Sequence, residues 1–128
     1  MGPLAINVLD IPVAICRLEP DAPVPSPAGD FWSIVRTPDE LSLMVPEDEI
    51  PPGAAAETGW HAFQVAGPLA FDEVGILASL AGRLAEAGIS IFAVSTYDTD
   101  YLLVRGDDLG EACAALREAG HIVIEKKG

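Results

Sequence analysis

The chain has 128 residues, half of them apolar, the size of one ordinary domain or of two very small ones packed together, so a hydrophobic core is within reach. Its 7 Lys and Arg stand against 20 Asp and Glu, a formal charge of -13, with no basic cluster longer than Lys126-Lys127. That balance excludes nucleic acid, whose phosphates demand cationic contacts, and argues against an anionic membrane surface.

In chain order, Leu4 to Leu18 is rich in Ile and Val and interrupted by Asp10 and Pro12, which predicts one or two strands with Val13 to Leu18 the better. Glu19 to Gly29 carries Pro20, Pro23, Pro25 and Pro27 and reads as a loop, because proline lacks the amide donor that regular elements need. Phe31 to Arg36 fits a short helical turn or an extended piece, and Leu41 to Val45 leans to strand. Glu47 to Gly53 is a solvated connection, and Trp60 to Val65 resumes a strand pattern.

From Gly67 to Val104 the pattern sharpens. Val74, Leu77, Leu80, Ala81, Leu84 and Ala85 recur at three- and four-residue spacing and predict a helix, with Asp72 a candidate N-cap, Glu73 in the first turn and Gly88 the terminator. After Gly88 the period changes to alternation through Thr96. Tyr97 to Asp100 suits a turn, and Tyr101 to Val104 the returning strand of a hairpin. Asp107 or Asp108 starts a second helix whose buried stripe is Leu109, Ala112, Cys113 and Leu116; Gly120 closes it, and His121 to Glu125 forms a last strand. The order after Phe63 is strand, helix, strand, strand, helix, strand, the split arrangement of the ferredoxin-like fold. Ile91, Phe92, Val94, Leu102 and Val104 are too apolar a set for one sheet face to stand in water, so pairing with the first half, another chain or both is expected.

Cys16 and Cys113 lie far apart without paired spacing and read as buried free thiols of a reducing compartment. With no leader pattern and no apolar run near the roughly 20 residues of a membrane helix, the expected location is cytoplasmic. His121 has no second His or Cys nearby in sequence, so neither a metal nor another cofactor is expected. Catalysis is not expected either: Ser95 and Thr96 supply hydroxyls, but no Ser-His-Asp or Cys-His set and no phosphate-cradling glycine loop accompanies them.

The hairpin ISIFAVSTYDTDYLLV (Ile89 to Val104) and the preceding FDEVGI loop (Phe71 to Ile76) closely resemble the ACT domain, in the subfamily found in the eukaryotic cytosolic arginine-sensor proteins and in small stand-alone bacterial homologues. FWSIVRTPDELSLMVPE (Phe31 to Glu47) is similar to the shorter, degenerate unit that precedes the main one in that subfamily. The resemblance implies an α+β protein: a degenerate ACT-like unit over residues 1–60 and a βαββαβ ACT domain over 61–128, with their sheets packed side by side. It further implies a regulatory protein that binds an amino acid, arginine being the first candidate, at the seam between ACT units of a homodimer. Asp72, Glu73, Val74, Gly75 and Ile76 would form a loop wall and Thr96, Tyr97 and Asp100 a hairpin wall, with Ser90 and Ile91 facing them from the partner unit. Carboxylates of Asp72, Glu73 and Asp100 are candidates for the ammonium group or a cationic side chain, and amides at the helix start for the α-carboxylate. The alternative is a ligand-free protein-protein interaction module, in which the same acidic residues are solvated turns and caps.

Overall fold

The computed structural model describes residues 3–66 and 75–125. In chain order the strands are β1 (Ala5–Val8), β2 (Val13–Leu18), β3 (Ser33–Arg36), β4 (Leu41–Pro46) and β5 (Ala55–Val65). Helix α1 (Ile76–Glu86), strands β6 (Phe92–Ser95) and β7 (Asp100–Arg105), helix α2 (Leu109–Glu118) and β8 (Ile122–Glu125) follow. They divide between two compact units: Ile11–Trp60, and the segments on either side of it.

The unit of residues 11–60 is a ladder of strands in the order β3, β4, β2 and the first half of β5, with every neighbour antiparallel. Counted along this unit, that is the strand order 2-3-1-4. Its only helical residues are the 3₁₀ turn Glu47–Glu49. Ala14, Cys16, Leu41, Leu43 and Val45 line one face, and Ala22, Ile50 and Ala54 from the connecting loops pack over them. Glu49 fixes the proline-rich loop, its carboxylate accepting the amides of Ala28 at 2.5 Å and Gly29 at 3.0 Å. Arg36 clamps the same loop by donating to the carbonyls of Pro20 and Ala22.

In the other unit the sheet runs β8, β1, second half of β5, β7, β6. The expectation placed all of residues 1–60 in the first unit, but β1 inserts between β8 and β5. It pairs in parallel with β8 (Ile6 opposite Val123) and antiparallel with β5 (Ile6 opposite Val65). Alternation sends Ile6 and Val8 to the helix side, where Phe63, Val65, Leu80, Leu84, Leu102, Val104, Ala112, Cys113 and Leu116 complete one core. Leu102 and Val104 therefore face the helices. Phe92 and Val94, opposite Leu103 and Tyr101, belong to the other face, so the apolar residues of the hairpin are divided between the two faces of the sheet.

Helix α1 begins at Ile76, with Gly75 in the left-handed conformation (φ +83°) as N-cap; the expected cap Asp72 lies outside the described residues. Its buried positions are Ile76, Leu80 and Leu84; Leu77 is partly buried, and Ala85 is exposed. The helix closes as its glycine predicts: Gly88, at φ +76°, donates to the Ala85 carbonyl and Ile89 donates to that of Leu84, each at 2.9 Å. Helix α2 ends in the same pattern at Gly120. It is entered through the 3₁₀ turn Gly106–Asp108, and Asp108 makes no side-chain cap, so the expected capping box is absent.

Candidate functional site

β6 and β7 are adjacent antiparallel strands whose last pair is Ser95 and Asp100. The four residues between them close on themselves. The Thr96 amide donates to the Thr99 carbonyl at 2.8 Å, the Thr96 hydroxyl donates to that carbonyl at 3.2 Å, and the Thr99 amide returns a bond to the Thr96 hydroxyl at 3.3 Å. Two threonines thus close a turn without glycine, the Thr96 hydroxyl bonding both the amide and the carbonyl of Thr99. Tyr97 stands at the tip, 80% exposed.

Thr99 is the polar anchor of this hairpin. Its side chain is buried, and its hydroxyl donates to the Val65 carbonyl at 2.5 Å. Val65 ends β5, so the bond ties the hairpin turn to the point where the chain leaves the sheet toward α1. Further along, Gln64 donates to the Tyr101 hydroxyl at 3.2 Å. The hairpin tip and the end of β5 are therefore held at one end of the sheet by side-chain bonds as well as by strand pairing.

Of the loop wall, Asp72, Glu73 and Val74 lie outside the described residues. Gly75 is exposed and its carbonyl accepts the Ser79 amide at 2.8 Å. The Ile76 side chain is buried in the core, so what this residue offers a ligand is its backbone, one of the first amides of a helix with no intrahelical acceptor. Of the hairpin wall, Thr96 and Tyr97 are exposed and Asp100 is half-buried. The Ser95 hydroxyl donates to Oδ1 of Asp100 at 2.7 Å.

Ser90 and Ile91 sit elsewhere. They precede β6, Ser90 exposed and Ile91 packed against the core, about five strand residues or roughly 16 Å from Thr96. The structure brings Thr96, Tyr97 and Asp100 together and leaves Ser90 and Ile91 ahead of the opposite end of β6. Ser95, weighed from sequence only as a hydroxyl for catalysis, and Thr99, read only as a turn residue, take part in the bonds of this hairpin. The available signal for Thr99 was its phase, since it alternates with Tyr101 and Leu103 and so continues one face of β7.

His121 has a structural explanation: its Nδ1 accepts the Leu4 amide at 3.1 Å, and the Ile122 amide donates to the Leu4 carbonyl at 2.9 Å, together docking the start of β1. Among the described residues there is no group of three or more His, Cys, Asp or Glu that can hold a metal ion, and no helix long and apolar enough to cross a membrane. Burial raises the thiol pKa of Cys16. Burial also raises that of Cys113, where Glu125 adds to the rise and Arg117 opposes it.

The sequence model of the ACT domain family matches residues 55–118, half of the chain, and a second model, of an N-terminal domain, matches residues 13–53. Among curated proteins, the cytosolic arginine sensor for mTORC1 subunit 1 of Bos taurus is 38% identical over 109 residues, covering 77% of this chain and 33% of the relative. Its Homo sapiens counterpart is 38% identical over 79 residues, covering 61% and 24%. The chain thus spans a third or less of the length of these curated relatives. Among solved structures, a crystal structure of an Agrobacterium tumefaciens protein matches with 38% identity and a TM-score of 0.92, covering 100% of this chain and 97% of that one. The ligand-free regulatory subunit of aspartate kinase from Thermus thermophilus matches with 14% identity and a TM-score of 0.69, covering 93% and 99%, a likeness of fold alone. With its βαββαβ unit, its hairpin and its family match in agreement, the chain belongs to the ACT domain family.

Proposed function

We propose that this chain is a cytoplasmic regulatory protein that binds an amino acid and performs no catalysis. The ligand lies between the loop that follows β5 and the β6–β7 hairpin tip of one ACT unit, with Ser90 and Ile91 of a second copy closing the site in a homodimer. The observation that carries this reading is the bond from the buried Thr99 hydroxyl to the Val65 carbonyl. It roots the hairpin wall at the end of β5, so that wall is held in place before a ligand arrives. The distance of Ser90 and Ile91 from Thr96 along β6 suits a contribution from another copy, because one unit cannot fold both ends of a strand onto one ligand.

Arginine is the first candidate, since relatives at 38% identity are named as arginine sensors. Asp100 is the described carboxylate on the hairpin wall that suits a cationic group, and the amides at the start of α1 suit the ligand's α-carboxylate. The excess of 20 acidic over 7 basic residues favours a cationic ligand in the same sense.

The test is a thermal-shift screen against the twenty amino acids, followed by calorimetry and by sedimentation with and without ligand. At a hundred times its dissociation constant a ligand adds about 2.7 kcal/mol to stability, a shift of several degrees in a domain of this size. An amino-acid hit that Asp100→Ala removes, on a dimer, is the expected result. A flat screen leaves the ligand-free interaction module in its place, and a monomer at micromolar concentration with ligand present removes the two-copy seam.

A further inference from the structure

We infer that Ser95 is a positioning residue of this site, holding the Asp100 carboxylate in the orientation that receives the cationic group of the ligand. This rests on the amino-acid-binding reading and adds to it a residue that does not itself touch the ligand. Ser95 and Asp100 are directly opposed across the last rung of the β6–β7 ladder, and the Ser95 hydroxyl donates to Oδ1 of Asp100 at 2.7 Å. An aspartate on a strand has a rotatable carboxylate. A donor from the opposite strand that engages Oδ1 restricts that rotation, and the bond itself makes no use of Oδ2.

The residue type matters as much as the distance. Serine at this rung gives one short hydroxyl donor, carries no charge and is exposed, so it orders Asp100 without neutralising it. A lysine or arginine there would satisfy the carboxylate completely and compete with a cationic ligand. The rung is also anchored: the turn beyond it is closed by Thr96 and Thr99, and Thr99 is bonded to Val65, so the backbone carrying Ser95 and Asp100 has its end fixed. A carboxylate ordered before the ligand arrives loses less rotamer freedom on binding, and the gain appears as affinity.

The experiment is a double-mutant cycle read by calorimetry with L-arginine as the probe, using the full chain and the variants Ser95→Ala, Ser95→Thr, Asp100→Asn and Ser95→Ala/Asp100→Asn. Ser95→Ala is expected to weaken binding about ten-fold while moving the thermal midpoint by no more than about 2 °C, because an exposed cross-strand pair contributes little to stability. Ser95→Thr, which keeps the hydroxyl on a β-branched side chain suited to a strand, is expected to restore affinity to within about two-fold. In the Asp100→Asn background Ser95→Ala is expected to have no further effect, since the residue acts only through the carboxylate. If the unsubstituted chain binds L-arginine and Ser95→Ala binds equally well, or if Ser95→Ala weakens Asp100→Asn as much as it weakens the parent, the positioning role is overturned and the binding reading stands. If the unsubstituted chain gives neither heat nor thermal shift with L-arginine, the arginine reading fails and the proposal fails with it.

Discussion

The two units keep one strand order and differ in what covers it. In residues 11–60 the four strands run 2-3-1-4, and in the other unit β5, β6, β7 and β8 follow the same order, with β1 inserted between the first and the last. The second unit covers its sheet with α1 and α2, whose buried residues are large or well packed: Ile76, Leu80, Leu84, Ala112, Cys113 and Leu116. The first has a proline-rich loop and one 3₁₀ turn in those places, and covers its sheet with Ala22, Ile50 and Ala54. A β-ladder of this order therefore survives the loss of both helices, provided that loops are pinned over it. Here the pins are polar, Glu49 to two amides and Arg36 to two carbonyls. Both units bury an apolar sheet face, and what the loop-covered one adds is a few charge-assisted bonds that hold its cover in place.

The strongest way to break the comparison is to hollow out the helix-covered core. Leu80 is fully buried among Leu84, Phe63, Leu102 and Leu116, so Leu80→Ala is expected to cost about 2 to 5 kcal/mol by denaturant unfolding. A loss below 1 kcal/mol would mean that α1 is not the cover described here. The next effect in size belongs to the hairpin anchor. Thr99→Val keeps the shape and removes the donor to Val65, so it is expected to cost about 1 to 3 kcal/mol and to weaken ligand binding as well. In contrast to Leu80→Ala, it tests both the fold and the site.

Much of this was legible beforehand where local chemistry decides local structure. The helical stripe of Leu80 and Leu84, the closure at Gly88, and the hairpin from Phe92 to Arg105 all follow from spacing and from turn chemistry. Where partners are remote in sequence, the reading ran out. Nothing near Ala5 announces that it pairs with Ile122, because strand insertion is a long-range choice made by the sheet. The first five residues of β5, Ala55 to Gly59, are mostly exposed and lack alternation, so their strand exists by pairing with β2 and not by pattern. Composition points to Asp72 as a cap, but the N-cap of α1 is Gly75, a glycine whose positive φ turns the chain into the helix. In the candidate site, Thr96, Tyr97 and Asp100 are named by their motif, whereas what singles out Ser95 and Thr99 is their bonds and not their residue type.

A smaller effect probes the polar pins of the loop-covered unit. Glu49→Ala removes the acceptor for the Ala28 and Gly29 amides, and is expected to cost about 1 to 2 kcal/mol, the bonds being charge-assisted but near water. The same contact makes Gly29 a tight position: a Cβ there would lie 2.8 Å from Oε2 of Glu49 and 3.0 Å from Cγ of Pro46. Gly29→Ala should therefore reproduce part of the Glu49→Ala loss, and the double variant should lose less than the sum. Strict additivity by urea unfolding would show that the loop is held some other way. Hydrogen exchange at Ala28 and Gly29 should accelerate in Glu49→Ala, with the amides of α1 unchanged.

The smallest effect compares the units through their thiols, since each unit buries one: Cys16 in the loop-covered ladder and Cys113 in α2. Burial raises both pKa values above the ordinary thiol value, and at Cys113 Glu125 adds a smaller rise that exceeds the opposing pull of Arg117. The sign follows from proton counting. Below the unfolded thiol value of about 8.5 both states hold the proton and these groups contribute no slope; above it the unfolded chain releases protons that the folded chain retains, so stability falls as pH rises toward the raised native values. Thermal midpoints should therefore be flat with respect to the thiols from pH 7 to about 8.5 and decline above it. Tyrosine and lysine titrate in the same range, so the quantity to measure is the difference between the parent chain and each of Cys16→Ala and Cys113→Ala, which should have shallower alkaline declines. If Cys16→Ala flattens the decline and Cys113→Ala does not, the loops seal their sheet at least as well as the helices seal theirs. The reverse would show water reaching Cys16 beneath the loop cover.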